Sequence, residues 1–102
     1  MGKPEAYVEA YLVKQAKRYG AFETKYTASG TAGVPDRVVI LNGYTVFVET
    51  KRPGGVPRKL QDVMMNDIRK HGGYAFAIDT REGIDKLFRR INDNTLERSD
   101  VF

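Results

Sequence analysis

Two short apolar runs on either side of an Asn-Gly pair constrain the fold of this chain more than any other feature. The runs are Val38–Leu41 and Val46–Val48, and Asn42-Gly43 lies between them. Asn-Gly is the dipeptide that most strongly favours a tight turn between two strands, since both residues tolerate positive φ angles. We therefore predict an antiparallel hairpin, which brings the start of its first strand beside the end of its second.

Charged residues stand at both open ends of this hairpin. Asp36 precedes the first strand, and Glu49 and Lys51 close the second. Because side chains alternate along a strand, Glu49 and Lys51 project to one face, while Thr50 projects away and presents its backbone carbonyl nearby. Carboxylate and carbonyl oxygens suit a hard divalent cation, and an amine beside them suits a phosphate ester. The pattern favours a metal-dependent nuclease site, with ordinary ion pairs to Arg37 and Lys51 as the alternative.

The rest of the chain alternates helical and strand patterns around this hairpin. Apolar spacing predicts a first helix over residues 4–19, and alternating aromatic and polar residues predict a strand over residues 21–28. After the hairpin we predict a helix from about Leu60 to His71, a strand over Tyr74–Ile78 and an amphipathic helix through Ile84–Ile91. The expected order is αβββαβα in a single domain over residues 1–102. From about residue 93 we expect a polar, frayed tail, with docking of Val101-Phe102 as the alternative.

Composition narrows the possible chemistry. With 102 residues and no cysteine, the chain has room for one modest core and excludes disulfides, thiolate metal sites and cysteine nucleophiles. The formal net charge of +4 favours polyanionic partners only weakly. No apolar stretch approaches the roughly 20 residues of a bilayer span, and the N-terminus lacks the apolar core of a signal peptide. We therefore expect a soluble cytoplasmic protein, from a bacterium or a phage-infected cell, with no membrane partner and no organic cofactor.

Three segments together resemble one known family. They are Gly33-Val34-Pro35-Asp36-Arg37, Phe47-Val48-Glu49-Thr50-Lys51 and Gln61 early in the following helix. In this order the chain resembles the VRR-NUC family of the PD-(D/E)XK nuclease superfamily. The resemblance implies an α/β fold with a restriction-endonuclease-like αβββαβ core, in which helices flank a mixed central sheet, followed here by a C-terminal helix.

The resemblance also implies a set of metal ligands. Mg²⁺ or Mn²⁺ would be held by Asp36, Glu49, the backbone carbonyl of Thr50 and an acidic residue of the first helix. For that acid we expect Glu9, which lies in the apolar-periodic part of the helix, with Glu5 nearer the helix end as the alternative.

Two further residues complete the catalytic set of Asp36, Glu49 and Glu9. Lys51 would orient or polarise the attacking water and offset charge in the transition state. Gln61 would hydrogen-bond that water or the scissile phosphate, and the alternative for Gln61 is an amide on the helix surface.

Basic residues around the loop after the hairpin predict a surface for the DNA backbone. Residues 52–57 are too rich in glycine and proline for regular structure and predict an exposed loop. Cations there and on the neighbouring strands would neutralise phosphates without reading base edges. The predicted DNA contacts are Lys25, Arg37, Arg52, Arg58 and Lys59. A solvated basic loop is the alternative for the loop cations, and a solvated strand residue is the alternative for Lys25.

Other polar and aromatic residues have structural explanations. His71 precedes Gly72-Gly73 at a predicted helix end, where histidines commonly contact terminal carbonyls, so we leave it out of the site. The tyrosines of the first helix would either pack in the core or an interface or stack on nucleic acid; they are Tyr7, Tyr11 and Tyr19.

The functional hypothesis is a Mg²⁺- or Mn²⁺-dependent endonuclease that cuts branched DNA. The resemblance implies that it acts as a homodimeric Holliday-junction resolvase. Its dimer surface would be the apolar side of the first helix or Ile84–Ile91. One alternative is a flap or single-strand DNA nuclease, acting as a monomer or with a partner. Another is an inactive DNA-binding module with the nuclease fold, against which the complete set of Asp36, Glu49 and Lys51 argues.

Overall fold

The computed structural model describes residues 6–102, which form three helices and four strands in the predicted order. The elements are α1 (Ala6–Tyr19), β1 (Phe22–Lys25), β2 (Arg37–Leu41), β3 (Tyr44–Thr50), α2 (Lys59–Lys70), β4 (Tyr74–Ile78) and α3 (Arg81–Asn92). The predicted helix start at Pro4 and the alternative acid Glu5 lie outside the described residues. Within residues 6–102, every helix is too short or too polar to cross a bilayer.

The sheet is mixed, with strand order β1-β2-β3-β4. β1 pairs antiparallel with β2, β2 antiparallel with β3, and β3 parallel with β4. The predicted hairpin is confirmed: Leu41 pairs with Tyr44, and the turn between them has φ angles of 53° at Asn42 and 82° at Gly43. Two consecutive positive φ angles are what a tight turn between twisted strands requires.

The hydrophobic core lies between one face of the sheet and the pair α1 and α3. Val39, Val46 and Val48 point into it from the hairpin, and the apolar stripes of both helices cover them. The helical residues of this core are Val8, Leu12, Ala16, Ile84, Leu87, Phe88 and Ile91. The two predicted dimer surfaces are therefore wrong, because both apolar faces are buried within the chain itself.

The opposite face of the sheet carries α2. Side chains alternate along β3, so Glu49 faces away from the core that contains Val48. On that side Gln61 of α2 donates a hydrogen bond to Glu49, and α2 packs against β4. This helix therefore builds the wall of the region where the charged ends of the hairpin lie.

The tyrosines of α1 belong to the packing of the core. Tyr7, Tyr11 and Tyr19 are partly buried against it, and the Tyr19 ring stacks on Phe88 with centroids 5.1 Å apart. Their packing role, one of the two predicted alternatives, accounts for all three positions.

The C-terminal segment is packed, which corrects the prediction of a frayed tail. Leu96 is buried, and the Phe102 ring meets Phe76 edge-on with centroids 4.9 Å apart. Lys86 Nζ donates to the carbonyl of Val101 over 3.1 Å. Of the predicted alternatives, docking is therefore the correct one, through the Phe102 ring and the Val101 carbonyl, while the Val101 side chain is 78% exposed. The sequence favoured a frayed tail because this segment is mostly polar, and only the side chains of Leu96 and Phe102 make its apolar contacts.

Candidate active site

The hairpin register sets Asp36 and Glu49 side by side. Arg37 pairs with Val48 across the two strands, so the preceding Asp36 lies level with the following Glu49. Lys25 of β1 pairs with Arg37 and belongs to the same end of the sheet. Three consecutive strands thus deliver polar side chains to one sheet edge.

Asp36 is held by Thr50. The Thr50 amide donates to Asp36 Oδ1 over 3.2 Å, and the Thr50 hydroxyl donates to Oδ2 over 3.0 Å. Thr50 itself is only 2% exposed. The sequence pattern predicted a role for the Thr50 carbonyl but not for its hydroxyl. The hydroxyl contact depends on the strand register and on the bend at Asp36, and the spacing of residues along the chain does not determine either.

Glu49 is held by Gln61 and Lys51, which contact the same carboxylate oxygen. Its Oε2 accepts from Gln61 Nε2 over 3.1 Å and lies 3.2 Å from Lys51 Nζ. The Gln61 Oε1 in turn accepts from the backbone amide of Arg58 over 2.8 Å, which locks this side chain at the start of α2. Glu49 and Gln61 are 5% and 6% exposed, so the alternative of Gln61 as a surface amide is wrong.

The surroundings of the Asp36 and Glu49 carboxyl groups disfavour their charged forms. Burial raises the pKa of Asp36, and the nearby charge of Glu9 adds to it, while the two Thr50 hydrogen bonds act in the opposite direction. Burial also raises the pKa of Glu49, followed by the charge of Asp36, and Lys51 partly offsets both. A divalent cation between these carboxylates would relieve the repulsion.

Glu9 is engaged elsewhere in the described structure. Its Oε2 lies 2.9 Å from both Nε and Nη2 of Arg37, and Arg37 Nη1 lies 3.1 Å from Glu23 Oε2. Among residues 6–102, no three acidic, histidine or cysteine side chains converge closely enough to hold one ion. The role of Glu9 as a metal ligand stays a prediction. The same holds for a DNA contact by Arg37, whose side chain is 16% exposed between two carboxylates.

The other predicted DNA contacts lie on the surface around the site. Lys25, Arg52, Arg58 and Lys59 are exposed, and the last three flank the loop that joins β3 to α2. That loop is tethered at Gly54, whose amide donates to Asp79 Oδ2 over 3.1 Å. Exposed cations on a tethered loop suit the neutralisation of phosphates.

Gly33 fixes the loop before Asp36 against the start of α2. Its φ is 82°, and a Cβ at this position would lie 2.6 Å from the Leu60 carbonyl oxygen. The two segments border a cavity of about 350 Å³ that also touches Gln61. The close backbone approach requires glycine and explains its place in the motif.

His71 lies away from these groups at the end of α2. Its Nδ1 is 2.8 Å from the carbonyl oxygen of Asp67, and the side chain is exposed. This contact is the helix-end role predicted for it.

The residues present fit a divalent metal through two carboxylates and one carbonyl. Asp36 and Glu49 offer hard oxygen ligands, and the Thr50 carbonyl is a third donor at the same sheet edge. Each oxygen of Asp36 accepts one protein hydrogen bond, so it retains a lone pair for coordination. The remaining positions of an octahedral ion would fall to water or substrate.

Two of three comparisons with known proteins find nuclease-related relatives. No family model matches the chain. A solved structure titled "VRR_NUC domain" superposes with a TM-score of 0.76 at 30% identity, covering 83% of this chain and 94% of that one. The chain is also 41% identical over 58 residues to "Putative nuclease p44" of Acyrthosiphon pisum secondary endosymbiont phage 1, a match that covers 56% of this chain and 62% of that protein. The shared fold and sequence along nearly the whole solved domain show that this chain belongs to the VRR-NUC family.

Proposed function

We propose that this protein is a Mg²⁺- or Mn²⁺-dependent endonuclease that hydrolyses phosphodiester bonds in DNA. The observation that carries the proposal is the pair of buried or half-buried carboxylates, Asp36 and Glu49, beside Lys51 at one edge of the sheet. Two neighbouring carboxylates repel each other unless a cation lies between them. Proteins keep such destabilising groups mainly at functional sites.

The chain's own residues divide the chemistry among them. Asp36, Glu49 and the Thr50 carbonyl would hold the ion, which when bound supplies charge neutralisation at the phosphate and lowers the pKa of water. Lys51 orients the attacking water and offsets negative charge as the phosphorus becomes five-coordinate. Gln61 keeps Glu49 in place through the bond to its Oε2. The second hydrogen of the Gln61 amide would donate to the water or the scissile phosphate.

Glu9 has a conditional part in this scheme. It would join the site as an outer ligand or hold a second ion only by leaving Arg37, whose guanidinium it now contacts. Burial is the main cause of the raised pKa of Asp36, and the negative charge of Glu9 raises it further.

The proposed substrate is branched DNA, cut by a homodimer acting on a four-way junction. A junction offers two scissile strands related by a two-fold axis, which suits one site in each subunit of a symmetric dimer. The exposed cations around the β3–α2 loop support contact with phosphates instead of base edges. With the helical faces buried, Phe22 and Ile40 become the candidate dimer surface, since they pair across β1 and β2 and are 59% and 42% exposed.

Cleavage of a synthetic four-way junction, a flap and a linear duplex tests the proposal. We expect paired, symmetric nicks in the junction with Mg²⁺ or Mn²⁺, no cutting with EDTA, and a dimeric mass in solution. The variants are Asp36→Asn and Lys51→Ala, and Glu97→Gln is the control for an exposed acid away from the site. Preferred cutting of the flap by a monomer would support the alternative nuclease, and DNA binding without cutting in any metal would support the inactive module.

A further inference from the structure

Thr50 makes two hydrogen bonds to one carboxylate. Its amide reaches Asp36 Oδ1 and its hydroxyl reaches Oδ2, at 3.2 and 3.0 Å. A carboxylate gripped at both oxygens cannot rotate about its last bond without breaking one of these contacts. The orientation of Asp36 is therefore determined by a residue of the neighbouring strand.

The two contacts depend on the sequence in different ways. Any residue at position 50 other than proline would keep the amide donor and the backbone carbonyl. Only serine or threonine would place a short hydroxyl group there. Thr50 is buried, with 2% of its surface exposed. A substitution at position 50 can therefore remove the hydroxyl contact and keep the amide contact.

A merely structural explanation is a hydroxyl that satisfies a strand end. The hydroxyl does satisfy Asp36 Oδ2, because it is the donor that reaches this oxygen while the Thr50 amide reaches Oδ1. The Asp36 carboxylate also receives the amide, which satisfies one oxygen without the side chain. The second donor does more than satisfy Asp36, since it fixes the plane of the carboxylate.

We propose that the Thr50 hydroxyl is a positioning group that orients Asp36 for a divalent cation and thereby sets the affinity of the site for the ion. The inference rests on the proposed function, because it assumes that Asp36 is a ligand. Residues that hydrogen-bond metal ligands typically change metal affinity about 10- to 100-fold when they are replaced.

Mn²⁺ binding to the full chain without DNA tests the inference, with isothermal titration calorimetry as the readout. We compare the parent with Thr50→Val, which keeps the shape and loses the hydroxyl, and with Thr50→Ser, which keeps the hydroxyl. We expect Thr50→Val to weaken Mn²⁺ binding about tenfold, or ~1.4 kcal/mol, and Thr50→Ser to stay within about twofold of the parent. Melting temperatures in EDTA report whether each variant folds.

The outcomes separate the inference from the proposed function. If Asp36→Asn binds Mn²⁺ as tightly as the parent, the metal site itself is wrong. If Asp36→Asn abolishes binding while Thr50→Val matches the parent, the site stands and the positioning role of the hydroxyl is overturned. Should Thr50→Val fail to fold, Thr50→Ala replaces it, and equal affinities of the Ala and Ser variants would overturn the role in the same way.

Discussion

Replacing Asp36 by asparagine should stabilise the metal-free protein. Burial, with added repulsion from Glu9, raises the pKa of Asp36, so its negative charge opposes folding at neutral pH. Asparagine removes that charge while its Oδ1 accepts from the Thr50 amide and its Nδ2 donates to the Thr50 hydroxyl. The hydrogen-bond geometry of the site is thereby preserved.

The size of the effect is limited because the partial exposure of Asp36 screens its interactions. We therefore expect Asp36→Asn to raise the free energy of unfolding by about 1 kcal/mol, which is common for a single stabilising substitution. For a domain of about this size that gain raises the melting temperature by roughly 4–8 °C. The matched control, Glu97→Gln, removes an exposed carboxylate and should change it little.

The pH dependence has a definite sign. Because the folded pKa of Asp36 is raised, folded Asp36 holds its proton more tightly than the unfolded chain, and the parent loses stability as the pH rises between the unfolded and folded pKa values. The advantage of Asp36→Asn should therefore be full at pH 7 and shrink toward zero near pH 4, close to the usual pKa of aspartate.

Thermal unfolding followed by circular dichroism measures this effect, in EDTA and then in Mg²⁺ or Mn²⁺. Metal should raise the melting temperature of the parent and leave Asp36→Asn nearly unchanged, because an ion that binds only the folded state stabilises it. A variant that melts below the parent in EDTA at pH 7 would refute the reasoning, since the charge of Asp36 would then favour folding.

Three further predictions concern separate parts of the chain. Lys51→Ala should lower the cleavage rate by about 100-fold or more while calorimetry still detects Mn²⁺ binding, and loss of the metal would make Lys51 structural instead. Gly33→Ala should lower the free energy of unfolding, measured in urea, by more than about 2 kcal/mol, because its Cβ would clash with the backbone of α2. The control Gly30→Ala has a φ of 77° and open space around it, and should lower that free energy by about 1 kcal/mol. Equal losses for the two variants would contradict this prediction. Phe102→Ala should cost about 1–2 kcal/mol in the same assay through its lost contact with Phe76, and an unchanged stability would show that the tail does not matter.

The hairpin and the elements around it were predictable because their signals are local. Asn42-Gly43 demanded a turn with two positive φ angles, and the apolar runs on either side demanded pairing. The bounds were less well predicted: β1 covers Phe22–Lys25 instead of residues 21–28, since only these residues find partners on β2. Pairing partners determine where a strand ends, and a single segment does not contain them.

The candidate site was predictable only at the level of which residues meet. Asp36, Glu49 and Lys51 followed from the geometry of a hairpin, and Gln61 followed from the family resemblance. The bond from Gln61 to Glu49 and the engagement of Glu9 by Arg37 depend on how α1 and α2 lie on opposite faces of the sheet. Hydrogen bonds act over about 3 Å, so helix placement decides them.

The sequence by itself determined the order of elements, the turn and the end of the sheet at which acids and amine gather, because periodicity and turn chemistry act between near neighbours. Tertiary structure alone decided the rest: the apolar faces of α1 and α3 cover the chain's own sheet, the tail docks on Phe76, and the Thr50 hydroxyl grips Asp36. Each of these contacts joins segments that are brought together only when the core closes, and a pattern read along one segment carries no information about its partner.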